Sequence, residues 1–200
     1  GTTVAGGTTL LIDADGELGA TTGGLTLSDT NAVGTLKFGA SFNLASTRAL
    51  SFGATGGGID TNGYNTTISQ AISGAGGMTK SGAGTLTFLA DNTFAGAATI
   101  NAGTLQLGNG TGTAGSVAGN ITDNATVAFD YSGSKTYGGA ITGTGSVSLL
   151  GGTLILTGDS NYSGGTTCTA GTVRLRSGGA TGSMAGGIAD NSALVLGSTG

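Results

Sequence analysis

The chain has 200 residues, of which 44 are glycine, and it contains no proline, histidine or tryptophan. Only 8% of the residues are charged and the net charge is −4, which excludes the basic footprint of a nucleic-acid-binding protein. The absence of histidine excludes a Ser-His-Asp triad and most zinc sites, and no apolar run approaches the ~20 residues of a membrane-spanning helix.

Short strands are predicted wherever threonine and aliphatic residues alternate between gaps rich in glycine, asparagine and serine. This regular alternation argues against a disordered glycine-rich linker. In chain order the predicted strands are Val33–Phe38, Ala49–Phe52, Thr66–Ser69, Thr85–Phe88, Ala98–Ile100, Thr104–Leu107, Thr126–Phe129, Val147–Leu149, Thr153–Leu156, Thr166–Thr169, Thr172–Leu175 and Ala193–Leu196.

The spacing of these strands predicts a solenoid. The steps from Leu86 to Leu105, on to Val127 and on to Val147 are 19, 22 and 20 residues. A β-sandwich would instead show hairpin spacings of ~8–12 residues. We therefore predict an all-β fold in which one β-solenoid covers residues 1–200 with about ten coils of roughly 20 residues, as repeat architectures require.

An internal repeat relates the two halves of the pattern. The two copies run over residues 71–129 and 140–196, and most equivalent positions are 68 residues apart, with losses of one residue in glycine-rich turns. We refer to them as the first and second repeat. The clearest equivalent pairs are Leu86 and Leu154, Phe94 and Tyr162, and Ile100 and Cys168.

The alternation also predicts the core. One phase of each strand should face inward, and Phe94 and Tyr162 are interpreted as stacked aromatics at a coil corner. Cys168 takes the place of Ile100 and is interpreted as a small buried apolar residue, because a lone cysteine cannot form an internal disulfide. The predicted inward residues are Leu86, Leu105, Val127, Val147, Leu154, Cys168 and Val173.

The acids offer few candidates for a functional site. Asp13, Asp15 and Glu17 would share one side of an extended segment and could bind calcium weakly, although a solvated turn is the simpler interpretation. The segment Gly56–Asp60 faintly resembles a calcium-binding nonapeptide but does not iterate. Asp91 recurs as Asp159 and Asp123 as Asp190, a pattern that favours turn capping. We predict no catalytic, cofactor-binding or metal-ligating residue.

Several segments resemble a named family. The segments Ser81–Phe88, Asn92–Gly96 and Thr99–Gly108, and then Asn161–Thr167 with Ala170–Val173, resemble the passenger-associated transport repeat of autotransporters. The stretches Ile59–Tyr64 and Ala71–Lys80 resemble the lead-in to such repeats, and Gly1–Val4 resembles the tail of a preceding copy. One departure is that Lys80 has Leu149 as its equivalent, so this lysine is not shared between the repeats.

The resemblance implies a right-handed parallel β-helix that is exported across the Gram-negative outer membrane through a C-terminal barrel outside these 200 residues. It also implies that the repeats aid secretion by folding outside the cell and then serve as a stalk or an adhesive surface. The expected function is therefore a non-enzymatic stalk that adheres or self-associates, without nucleic acid, cofactor or membrane insertion of this segment. Both chain ends look like ordinary coil strands, so end-to-end or edge association is expected.

Two alternatives stay open. A carbohydrate-cleaving β-helix would need clustered acids and a sugar-stacking cleft, and the chain has no tryptophan. An ice-binding solenoid would need Thr-x-Thr in every coil of one face. The pairs that start at Thr85, Thr111, Thr142 and Thr167 are 26, 31 and 25 residues apart, which does not match a coil of about 20 residues.

Overall fold

A computed structural model describes residues 1–28, 32–176, 187–190 and 193–197. Within these ranges the chain forms short strands and one 3-10 turn over Asp15–Leu18, with no α-helix. The strands are β1 (Thr2–Val4), β2 (Thr9–Ile12), β3 (Leu25–Leu27), β4 (Gly34–Phe38), β5 (Leu50–Phe52), β6 (Gly57–Asp60), β7 (Thr66–Ile68), β8 (Ile72–Gly74), β9 (Met78–Ser81), β10 (Thr85–Phe88), β11 (Ala98–Ile100), β12 (Thr104–Leu107), β13 (Ile121–Asp123), β14 (Thr126–Tyr137), β15 (Ile141–Thr142), β16 (Ser146–Leu156), β17 (Thr166–Cys168), β18 (Thr172–Arg176), β19 (Ile188–Asp190) and β20 (Ala193–Gly197).

These strands stack into three columns, and every strand pairing is parallel. The first column contains β1, β3, β5 and β8, and the second contains β2, β4, β6, β9, β11, β13 and β15. The third column runs through β7, β10, β12, β14, β16, β17 and β19. The chain visits the columns in the same order in each coil, so the fold is a parallel β-solenoid of about eight turns. The predicted all-β solenoid is confirmed, and its ten coils are close to this number.

The first column is interrupted in the middle of the chain. After β8 its place is taken by irregular segments in which the Thr93 N–H donates to the Ile72 carbonyl and the Asn92 N–H donates to the Ser116 carbonyl. The column becomes a sheet again where β14 and β16 turn the corner from the third column, and β18 and β20 continue it. These two long strands join the first and third columns into one sheet of nine strands.

The predicted steps between coils are confirmed by the register. Leu86 pairs with Leu105, Leu105 with Val127, and Val127 with Val147 in adjacent strands of the third column. The residues of this inward phase form one continuous apolar core. All seven predicted inward residues, including Cys168, are at most 2% exposed.

The strand boundaries differ from the prediction at several places. The predicted strand at Thr126 continues to Tyr137, and the two predicted strands at Val147 and Thr153 form the single strand β16. The predicted set did not contain strands β1, β2, β3, β6, β8, β9, β13, β15 and β19. Gly57 and Gly58 in β6 show the reason, since a strand whose side chains are missing has no alternation to detect.

The two repeats occupy different columns of the solenoid. Leu86 lies in the third column, whereas its equivalent Leu154 pairs with Val173 in the first. Ile100 likewise lies in the second column and its equivalent Cys168 in the third. The 68-residue offset therefore corresponds to a whole number of turns plus one column, and the second repeat is rotated by about a third of a turn.

This rotation corrects the expectation that Phe94 and Tyr162 stack. Both side chains are fully buried, as expected of core residues. The ring of Phe94 packs against that of Phe52, with centroids 5.3 Å apart, whereas the hydroxyl of Tyr162 contacts the hydroxyl of Thr166. Because equivalent positions lie on different columns, the two rings serve separate parts of the core.

Candidate functional surface

Among the described residues, three acidic or basic side chains lie inside the solenoid. Arg48, Lys80 and Asp123 are each 0% exposed, which is unusual in a chain with so few charges. Each needs polar partners, because burying a charge without them is costly.

Arg48 is held by Asp15 and by backbone carbonyls. Its Nε and one terminal nitrogen donate to the two carboxylate oxygens of Asp15 at 2.9 and 3.0 Å, and further N–H groups donate to the carbonyls of Gly23 and Gly19. The hydrogen bond from Arg48 lowers the pKa of Asp15. The guanidinium thus ties the 3-10 turn to the coil that follows it.

This arrangement corrects the interpretation of the acidic stretch. The segment is not extended, because Asp15–Leu18 forms the 3-10 turn. Glu17 accepts the backbone N–H of Asp13 at 2.8 Å, while Asp15 points to Arg48. The three carboxylates therefore do not share one side, and Asp15 is a structural ion-pair partner rather than a solvated residue. No sequence pattern indicated that Arg48, which follows an irregular segment, is buried.

Lys80 fills the corner between the second and third columns. Its ammonium donates to Thr61 Oγ1 at 3.0 Å and lies at 3.1, 2.9 and 3.0 Å from the carbonyl oxygens of Ser81, Gly82 and Ala102. These acceptors belong to three consecutive coil corners. Burial lowers the pKa of Lys80 to about 8, partly offset by the charge of Asp60. Lys80 shares its alternation phase with Met78 and Leu86, which was the available signal for its inward position.

Asp123 has no basic partner. Its Oδ1 accepts the Ala125 N–H at 3.0 Å, so the predicted role in turn capping is confirmed for this residue. Its Oδ2 is buried and has no hydrogen-bond partner. Burial raises the pKa of Asp123 to about 6. The side chain of its equivalent, Asp190, lies outside the described residues, but the backbone of Asp190 pairs with that of Cys168 in the third column.

Two further acids form ion pairs on the outside. Asp60 lies 3.0 Å from the ammonium of Lys37 in the neighbouring strand, so this acid of the Gly56–Asp60 segment already has a cationic partner. Asp91 accepts hydrogen bonds from Lys135 at 2.7 Å and from the Ser116 hydroxyl at 2.6 Å. Asp91 therefore links coils of the first column.

Among the described residues, no group of three or more histidine, cysteine or acidic side chains is placed to hold a metal ion. Over the same ranges the structure contains no helix of the length and apolarity that a membrane crossing requires.

Outward-facing threonines form a ladder along the second column. Thr79, Thr99, Thr122 and Thr142 pair in register in four consecutive strands. Above them Gly58 pairs with Thr79, and Thr35 and Thr9 continue the same row. The four consecutive threonines are named the threonine ladder below. A signal was present in the sequence, since each of these threonines neighbours an inward apolar residue at steps near 20.

The Thr-x-Thr pairs do not form one array. Thr85 and Thr87 face outward in the third column, where the next strand offers Thr104 and Gln106. The pair at Thr142 begins in the second column instead. The regular double row that ice binding needs is therefore interrupted after one coil.

The chain is similar to known proteins over part of its length. The sequence model of the passenger-associated-transport-repeat family matches residues 78–107 and 151–175. These ranges overlap the segments in which the resemblance was found. They also coincide with the coils whose equivalent residues lie one column apart.

The adhesin BmaC autotransporter of Brucella suis biovar 1 (strain 1330) is 54% identical over 102 residues. The match covers 50% of this chain and 3% of that protein, so the chain spans a small part of the relative. No solved structure matches the chain. The two matched repeats and the 54% identity to part of an autotransporter adhesin show that this chain is similar to autotransporter passengers with passenger-associated transport repeats.

Proposed function

We propose that this chain is a non-enzymatic stalk segment of an exported passenger and that its outer surface mediates adhesion or self-association at the cell surface. The observation that carries the proposal is the combination of a continuous apolar core with outer faces dominated by hydroxyl and amide side chains. Such a rod presents many weak polar contacts along its length. The similarity to a protein named as an adhesin supports the same role.

The fold also suits export followed by folding outside the cell. Every strand pairs with strands about 20 residues away, so each new coil can form on the one before it. Export through a C-terminal translocator barrel beyond this segment is part of the proposal. Formation of the apolar core outside the membrane would then favour outward movement of the chain.

The folding part of the proposal can be tested in the full passenger on cells. Leu105→Asp places a charge in the fully buried core and should reduce the amount of passenger displayed at the surface. Gln106→Asp in the same strand faces outward and is the matched control. Equal display of the two variants would contradict a role for folding in export.

The adhesive part requires a separate measurement. Cells that display the passenger with and without residues 78–175 should differ in aggregation and in attachment to surfaces. Digestion of a polysaccharide panel by the purified segment would instead establish the enzymatic alternative and overturn the proposal.

A further inference from the structure

The threonine ladder has unused hydrogen-bonding capacity. The hydroxyls of Thr79, Thr99 and Thr122 make no hydrogen bond to the described residues, and that of Thr142 reaches the Ile121 carbonyl only at 3.5 Å. All four side chains are partly exposed. Four hydroxyls therefore lie in a row at intervals of ~4.8 Å, the spacing of paired strands.

Some hydroxyls on the other two columns form hydrogen bonds with each other. Thr26 and Ser51 are hydrogen-bonded at 3.1 Å in the first column, and Thr126 and Ser146 lie 3.4 Å apart in the third. The second column is also free of the register shifts that interrupt pairing between β14 and β16. It is thus the most regular of the three outer faces.

Beside the ladder, over the same coils, runs a row of polar uncharged residues. Ser81 ends β9, Asn101 and Asn124 directly follow β11 and β13, and the Asn124 side-chain amide lies 3.5 Å from that of Asn101. The charged residues of these strands, Lys80 and Asp123, point into the core. Over the four coils of the ladder the face therefore combines donors and acceptors without a charged side chain, and the mutually paired Lys37 and Asp60 continue this row only in the adjoining coils.

We propose that the threonine ladder is the docking surface for a second molecule of the same chain, packed side by side through the second columns. This inference rests on the proposed self-association and assigns it to one face. The spacing argues for this occupant, because another parallel solenoid repeats its own hydroxyls at the same ~4.8 Å and can match the ladder coil for coil. Identical faces related by a two-fold axis are also self-complementary when each group both donates and accepts.

The size of the ladder predicts a weak single contact. Four coils span about 20 Å along the solenoid axis. A face of this length buries less than the ~800 Å² per partner that a standard stable interface buries. Association would therefore be concentration-dependent for the isolated segment. It would become strong only between surfaces that display many molecules.

The test compares two variants that carry the same charge change. Thr79→Glu with Thr122→Glu changes alternate coils of the ladder, and Thr85→Glu with Thr126→Glu changes alternate coils of the third column. Sedimentation over a range of concentrations should show that the unmodified chain associates. The first pair of substitutions should raise its dissociation constant more than about tenfold, because like charges would meet across the interface. The control pair should stay within about twofold of the unmodified chain.

A cysteine variant provides a measurement that does not depend on weakening. Thr99→Cys should give disulfide-linked dimers on mild oxidation, whereas Thr104→Cys in the third column should not, and the native Cys168 is buried. Circular dichroism verifies that all variants keep the β fold.

The outcomes separate the two proposals. Equal weakening by both glutamate pairs, or efficient linkage through Thr104→Cys, would overturn the assignment to this face while self-association stands. A chain that stays monomeric at every concentration and on crowded surfaces would overturn self-association itself. Binding of a neutral polysaccharide that only the first pair abolishes, without dimers, would show that the ladder serves a different partner and would overturn the inference.

Discussion

At the scale of single residues, the three buried charges differ in how completely they are matched. Arg48 has a carboxylate and several carbonyls, and Lys80 has a hydroxyl and three carbonyls. Asp123 has one backbone N–H for two oxygens. The cost of burial should therefore appear most clearly at Asp123, and the pH dependence of stability should reveal it.

Substitution of Asp123 tests this cost. The folded-state pKa of about 6 lies above the unfolded value, so the folded state binds the proton more readily, and ionisation destabilises it as the pH rises from about 4 to 6. Asp123→Asn removes the titration and keeps an oxygen for the Ala125 N–H. Relative to this variant, the unmodified chain should lose up to about 3 kcal/mol between pH 4 and pH 7 in urea unfolding.

Asp91→Asn is the control for Asp123. Partial burial opposes the shift, but the hydrogen bonds from Lys135 and the Ser116 hydroxyl outweigh it and lower the pKa of Asp91. The contribution of Asp91 to the free energy of unfolding should have the opposite sign, because it is present above pH 4 and lost in acid. At this exposed site it should stay within ~1 kcal/mol. A difference between the unmodified chain and Asp123→Asn that does not vary with pH would contradict the assignment.

Lys80 gives a second test at the residue scale. Lys80→Met leaves the carbonyls of Gly82 and Ala102 without this donor and should cost about 1–3 kcal/mol at pH 7. The equivalent Leu149 is also fully buried, and Leu149→Met should cost less than ~1.5 kcal/mol. Chemical unfolding of both variants at pH 7 measures the difference.

The pH dependence at Lys80 has a defined sign. The folded-state pKa of about 8 lies below the unfolded value, so the unfolded chain holds a proton that the folded chain has released between pH 8 and about 10.5. The unmodified chain should therefore gain stability relative to Lys80→Met across this window. Parallel curves for the two proteins from pH 7 to pH 10 would show that the ammonium is not desolvated.

At the scale of strands, alternation decides which substitutions are costly. Leu154 is 0% exposed in β16, and its neighbour Thr153 faces outward. Leu154→Ala should cost ~2–5 kcal/mol, because it opens a cavity in the core, and Thr153→Ala should stay within ~0.5 kcal/mol. Thermal unfolding of the pair measures this, and equal costs would mean that the strand phase at Leu154 is wrong.

Alternation and step length predicted many of the strands that carry the core, among them β10, β12 and β14. The register of Leu86, Leu105 and Val127 follows from them, because a parallel coil must return to the same phase. They could not predict the 3-10 turn or the position of Arg48, since tertiary contacts with Asp15 decide both. The hydroxyl row was visible only once the pairing of strands from different coils was known.

The corners between strands depend on glycine in both repeats. Gly103 has φ +68°, and a Cβ there would lie 2.4 Å from the Gly84 carbonyl oxygen. Its equivalent Gly171 has φ +95°, and a Cβ would lie 2.1 Å from the Gly152 carbonyl oxygen. The same corner is therefore built twice, one column further round the rod.

At the scale of the whole molecule, this rotation distinguishes sequence repeats from structural turns. The offset of 68 residues is not a multiple of the coil length, and equivalent residues consequently face different directions. Side chains at equivalent positions of the two repeats therefore face adjacent columns of the rod. The threonine ladder is different, because its members come from consecutive coils and face one side.

The rotation leads to a prediction about removing one repeat unit. Deletion of residues 86–153 joins Thr85 to Leu154. The coils after the junction are then rotated by one column, and each of their residues packs in the place that its first-repeat equivalent occupied. In the new coil Tyr162 would take the place of Phe94, and Cys168 that of Ile100. Because solenoid coils contact only adjacent coils, we expect a shorter rod that unfolds cooperatively.

Deletion of residues 86–154 removes one residue more and is the matched control. It places Ile155 at the inward position of Leu86 and turns Leu156 outward, which reverses the strand phase at the junction. Circular dichroism and thermal unfolding should show native-like strand content for the 68-residue deletion and a clearly lower Tm for the 69-residue deletion. If the two deletion variants unfolded at the same Tm, the second repeat would not be able to replace the first. The rotation between the repeats would then depend on the intact chain and would not be a property of the repeat unit.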